Sequence, residues 1–168
     1  MLHALLFAPA PLCDALVALC EQLTGAPPPL RAVGFALSDS EGDLYRALAA
    51  AVAVVPAEDG ALVLGDLLGG TSATIALSMP HPHVNFLGGV SLPMVLGLKD
   101  ALAASRPVEG AAVSVTDQLA RCAELLKAAA RGGLVDSQSY LRATGEDSNI
   151  DASHFEGDAS VGGALGGA

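Results

Sequence analysis

Apolar positions in this chain form short unbroken runs that alternate with stretches of helical spacing. Leu2–Ala8 is such a run, too short for a helix and suited to a buried strand. Pro9 and Pro11 break it, and Pro11 suits the first turn of a helix, where its missing N–H costs nothing. Leu12, Leu16, Leu19, Cys20 and Leu23 then recur at helical spacing, predicting a helix from Pro11 to Thr24 that Gly25 and Pro27–Pro29 end. Arg31–Leu37 reads as a second strand, and Ser40 caps an Ala-rich helix running to Val54. Ala61–Asp66 is a third strand. Gly69 and Gly70 then make a turn, and Thr71 or Ser72 caps a third helix ending before Pro80. His83–Leu87 is a fourth strand, followed by Gly88-Gly89 and a helix over Leu92–Ala104 with Pro93 in its first turn. Ala111–Val115 offers a short extended segment, a candidate fifth strand. Thr116 is the expected cap of a last helix to Arg131, with Leu119, Cys122 and Leu126 on one face.

Strand and helix alternate four times. That order predicts a doubly wound α/β fold: a mainly parallel four-stranded sheet in the order 2-1-3-4, with right-handed crossovers and helices on both faces. The length of 168 residues fits one domain with a tail. We expect the domain at 1–133 and the tail at 134–168. From Gln138 onward Ser, Asp, Glu and Gly dominate, with too little apolar surface to offset the entropy of ordering.

Composition sharpens this picture. Apolar residues make up 52% of the chain, yet Trp is absent and aromatics are only 4%, so the core must be Ala, Leu and Val in closely packed layers. The net charge of −10, with eight scattered Lys and Arg, gives no basic footprint for nucleic acid. The three cysteines, Cys13, Cys20 and Cys122, lack a Cys-x-x-Cys pair and read as buried free thiols of a reducing cytoplasm. The apolar start has no Lys/Arg n-region and meets Asp14 soon after Pro9 and Pro11, unlike a signal peptide. No segment reaches the roughly 18 unbroken apolar residues that a membrane span requires. A cytoplasmic protein without membrane insertion is expected.

In an open parallel sheet, ligands bind beyond the carboxyl ends of the strands. Those ends carry Ala8-Pro9, Ser38-Asp39, Asp66 and Gly88-Gly89. The stretch Asp66-Leu-Leu-Gly-Gly-Thr-Ser72 sets a carboxylate at a strand tip, a glycine turn and a helix N-terminus suited to an anion. Capping of local backbone by Asp66 and Thr71 explains the same residues equally well. His3 starts the first strand, about 20 Å from its other end at 3.3 Å per residue. His81 and His83 precede the fourth strand, at the same wrong end, and two such ligands without a third make a poor metal site. Cys13 lies in the first turn of a helix, where the dipole can lower a thiol pKa, although a packed thiol is the plainer reading. The P-loop, the dinucleotide-binding glycine turn, the nucleophile elbow and His-Glu-x-x-His are all absent, and no motif implies a cofactor or metal.

Two segments carry a resemblance. Gly65-Asp66-Leu-Leu-Gly-Gly-Thr-Ser72 resembles the Asp-x-x-Gly-Gly-Ser/Thr segment of mannose-family enzyme IIA of sugar phosphotransferase systems. Gly89-Val-Ser-Leu-Pro-Met94 resembles that family's Gly-Val-Asn-Leu-Pro-Met, with Ser91 in place of Asn. The order of elements matches from Met1 to Gly133. The resemblance implies a homodimer in sugar uptake or its regulation, with HPr and enzyme IIB as partners and peripheral association with a sugar permease. In that family the first strand ends in Thr-His-Gly, and its histidine relays a phosphoryl group from HPr to enzyme IIB while the strand-three aspartate orients the ring. Here the histidine position falls on Pro9 and the aspartate on Asp66. The resemblance thus implies a pocket of Pro9, Asp66, Gly69, Gly70, Thr71 and Ser72 without the nucleophile, since proline offers no nucleophilic atom. The expected function is a non-phosphorylated binding or regulatory module. The alternatives are a phosphocarrier with an unusual acceptor and a flavodoxin-like small-molecule binder that shares only the architecture.

Overall fold

The computed structural model describes residues 1–67, 70–108 and 112–133. The order is β1 (Leu2–Pro9), α1 (Ala10–Thr24), β2 (Arg31–Phe35), α2 (Glu41–Val52), β3 (Gly60–Gly65), α3 (Thr71–Leu77), β4 (Val84–Leu87), α4 (Leu92–Ala104) and α5 (Val115–Gly132). The strands form one parallel sheet in the order β2-β1-β3-β4, as the alternation predicts. β1 is central because Ala4–Ala8 is apolar and buried on both pleat faces. Ala4, Leu6 and Ala8 pack under α1, α4 and α5 with Leu62, Leu64 and Met94. Leu5 and Phe7 point the other way, toward α2 and α3, with Leu48, Val63 and Ile75. The two layers bury chiefly aliphatic side chains, each worth about 1.5–3 kcal/mol relative to exposure. Small residues let the layers approach closely. A Cβ on Gly34 of β2 would lie 2.9 Å from the Ala10 Cα, so α1 starts against the bare backbone of β2.

Several boundaries differ from the sequence pattern. β2 stops at Phe35 rather than Leu37, and Leu37 is 88% exposed. The cause is the turn that follows, where the Asp39 carboxylate accepts from the Ala36 N–H at 2.8 Å and takes the chain out of the sheet. Ser40 caps α2 as expected, in a reciprocal capping box with Asp43. α3 is capped by Gly70, so Thr71 and Ser72 are its first helical residues and not its cap. α5 starts at Val115, one residue before the expected cap Thr116. Ser114 does the capping, its hydroxyl accepting from the Asp117 N–H at 3.1 Å. Ala112–Ser114 is irregular, and the sheet has four strands among the described residues. Ala111 and the tail at 134–168 lie outside them.

Candidate functional site

At the carboxyl end of the sheet, β1 and β3 run side by side to Phe7↔Gly65, so Pro9 and Asp66 leave adjacent strands at the same end. The turn after β4 closes over this point. Gly89 donates to the Asp66 carbonyl at 3.1 Å and Val90 to the Gly65 carbonyl at 2.9 Å. Gly89 holds φ +78°, a conformation side chains disfavour, which allows the fold-back. Pro9 ends β1 with φ −50° and ψ 135° and caps α1. Its missing N–H costs nothing at a strand's last position.

Asp66 is half-buried and accepts a hydrogen bond from the Ser72 hydroxyl at 2.9 Å. Ser72 is only 5% exposed, so the start of α3 fixes the orientation of the carboxylate. Asp66, Thr71 and Ser72 line a cavity of about 270 Å³ together with Asp39, Glu41 and Leu37 from the turn after β2. Gly70 lies at the helix start beside it, Pro9 is not in its wall, and Gly69 lies outside the described residues. Three carboxylates in one wall oppose an anion there by like-charge repulsion, and the seven-residue α3 brings little dipole against them. The sequence places Asp39, like Asp66, at a ligand-facing strand end, but only the curl of that turn toward α3 brings it and Glu41 into one cavity with Asp66.

The remaining candidates lie elsewhere. His3 is at the amino end of β1, where its Nε2 is 2.9 Å from the Asp59 carboxylate. His81 and His83 sit before β4, with the His83 carbonyl bonded to Ala61 at the start of β3. Among the described residues no group of His, Cys, Asp and Glu has metal-site geometry. The Cys13 thiol is 1% exposed and 3.4 Å from the Ala8 carbonyl. Burial pushes its pKa up from 9.0, opposite to a dipole-activated thiol, and the packed reading holds. Ser91 stands at the cap of α4. Its hydroxyl is buried and finds no hydrogen-bond partner among the described residues.

The chain matches the EIIA-man family, described as the fructose IIA component of the phosphotransferase system, over residues 12–114. This chain belongs to that family. The matched span holds Asp66, Ser72 and the Gly89–Met94 turn and begins just after Pro9. Among solved structures, the mannose/sorbose-specific IIA subunit from Enterococcus faecalis is similar, at 20% identity and a TM-score of 0.63, covering 80% of this chain and 92% of that one. Component EIIA from Streptococcus agalactiae matches at 22% identity and a TM-score of 0.63, over 83% and 99%. The IIA protein of the fucose utilization operon of Streptococcus pneumoniae reaches 0.52 at 15% identity, over 83% and 96%. At these identities the likeness is one of fold. No curated protein matches the chain significantly. The EIIA-man domain is a component of sugar phosphotransferase systems, and no helix among the described residues is long and apolar enough to cross a membrane.

Proposed function

We propose that this EIIA-man domain docks a phosphotransferase partner without carrying a phosphoryl group itself. The observation that carries the reading is the position of Pro9. It leaves β1 beside the strand that presents Asp66, at the end where the family's ring nitrogen is expected, and its side chain has no nucleophile. His3, His81 and His83 all lie at the opposite end of the sheet. Cys13, the nearby thiol, is buried and stays protonated at neutral pH. These placements weigh against a phosphocarrier with an unusual acceptor, and family membership weighs against an unrelated flavodoxin-like binder.

The carboxyl end retains what docking needs. Leu37 and Leu67 are 88% and 64% exposed, next to the carboxylates of Asp39, Glu41 and Asp66. Apolar anchors ringed by one sign of charge suit a partner face with basic side chains around an apolar centre. HPr and enzyme IIB are the candidate partners. The protein acts in the cytoplasm as a homodimer, at the membrane only by association with a sugar permease. The domain at 1–133 carries this role, with 134–168 as an appended acidic tail.

The test is intact mass after incubation with phosphoenolpyruvate, enzyme I and HPr, read at mildly alkaline pH, where phosphohistidine survives. The natural protein gains no phosphoryl group. The Pro9→His variant gains one, because an imidazole there sits beside Asp66, whose carboxylate holds one ring N–H and leaves the other nitrogen to attack. Phosphoryl uptake by the natural protein, mapped to Cys13 or to His154 outside the described residues, overturns the docking reading.

A further inference from the structure

A second cavity, of about 350 Å³, lies at the other end of the sheet. Its origin is a step in strand register. β2 first pairs with β1 at Leu5↔Arg31, so Leu2, His3 and Ala4 have no β2 neighbour. The loop before β2 is Pro27-Pro28-Pro29, whose residues lack N–H groups and cannot extend the ladder. A notch about 10 Å long, three residues of strand, is therefore left in the sheet at its amino end. The α2 end closes one side of it with Ala51, Val54 and Val55, and Leu102 of α4, on the sheet's other face, closes the opposite side.

The walls of this notch are chemically distinct from the rest of the molecule. The chain carries 18 acidic residues against eight Lys and Arg, yet no Asp or Glu lines the notch, while Arg31, Arg106 and His3 all do. Arg31 stands on the α2 side and Arg106 just past the end of α4. Neither guanidinium forms an ion pair among the described residues. Asp59, the nearby carboxylate, is occupied by the Met1 ammonium and His3. Gln118 adds a fixed amide, 7% exposed, its Nε2 donating to the Val113 carbonyl at 3.1 Å. Two guanidinium-bearing residues, one from each side of the notch, together with its aliphatic lining favour an anionic head on an apolar body: planar donors take the head, and the apolar wall takes the body. The other described cavity, walled by Asp39, Glu41 and Asp66, repels such a ligand.

We propose that this notch is a binding site for a small organic anion, a carboxylate or phosphate on an aliphatic chain, separate from the Asp66 cavity. The proposal does not depend on the phosphotransfer reading. Titration calorimetry of the full chain with octanoate, octyl phosphate and octylammonium tests it, together with amide shifts in NMR. Octanoate or octyl phosphate binds one to one and shifts Leu5, Leu30 and Leu102 but not Asp66, and whichever of the two binds more tightly identifies the head group. Octylammonium does not bind. The Arg31→Gln/Arg106→Gln variant, at two exposed positions, weakens anion binding at least about tenfold, and Arg106→Gln alone weakens it measurably. Absence of saturable anion binding overturns the proposal. So does equal affinity for octylammonium, or unchanged affinity in both variants.

Discussion

At the carboxyl ends of the strands, Asp39, Glu41 and Asp66 gather around one cavity; at the amino ends, Arg31, His3 and Arg106 gather around another. The difference follows from parallel topology. Every strand starts at one end and finishes at the other, so residues far apart in sequence collect by whether they precede or follow a strand. The same rule places all described histidines at the amino end and Pro9 at the Asp66 end. The acidic cavity and the basic notch share no lining residue.

The contrast can be broken most strongly through backbone approach. Gly34→Ala, near the carboxyl end, sets a Cβ 2.9 Å from the Ala10 Cα, where only backbone movement relieves the clash. We expect a loss of about 1–3 kcal/mol in urea unfolding. Gly60→Ala, near the amino end, meets Leu2 Cδ2, Val115 Cγ1 and Leu119 Cγ at 2.8–3.0 Å, all side-chain atoms, of which the Leu2 tip gives way most readily. Its cost should be smaller, and the reverse order would show that the amino end is the more rigidly packed.

Two buried hydroxyls sharpen the comparison within the carboxyl end. Ser72→Ala removes the bond to the Asp66 carboxylate and should lower stability by about 1.5 kcal/mol, the low end for hydrogen bonds to charged groups because Asp66 is only half-buried. Ser91→Ala removes a buried hydroxyl with no described partner and should leave the melting temperature unchanged or slightly raised. If both substitutions cost the same, Ser72 is a packing residue and does not position Asp66.

The smallest effect is in acid. The Met1 ammonium, and then His3, hold the Asp59 carboxyl below its ordinary 3.8. A pKa depressed in the folded state means that the unfolded chain binds more protons. This contribution is present above about pH 3.8 and is lost as pH falls through the lower folded value. Asp59→Asn should therefore lower the neutral plateau slightly and flatten the acid limb, so that the two proteins converge at the acid end, as read by thermal melts from pH 2 to 7 (about one unit per step). An acid limb as steep as that of the natural protein would assign the acid sensitivity to another group, Asp43 first, whose carboxyl the Ser40 hydroxyl and then Arg46 also hold down.

Much of the fold was legible because its signals are local. An apolar run such as Leu2–Ala8 has to be buried on both faces, which makes it a central strand, and Ser40 three residues before Asp43 announces a capping box. The failures cluster where a competing local bond wins. Asp39 ends β2 early, Gly70 displaces Thr71 and Ser72 as cap, and Ser114 displaces Thr116. At the site, Asp66 and Ser72 were legible from the glycine turn between them. Asp39 and Glu41 were not assigned to that cavity, because their approach depends on the direction of a turn.

By itself the sequence determined the elements, their parallel order, the EIIA-man resemblance and the proline after the first strand, since each rests on periodicity or on neighbouring residues. Only the tertiary structure decided how charge is distributed over the two ends. Arg31 and Arg106 are 75 positions apart and line one notch because β2 enters the sheet three residues later than β1, a long-range pairing that neither residue's own neighbourhood announces.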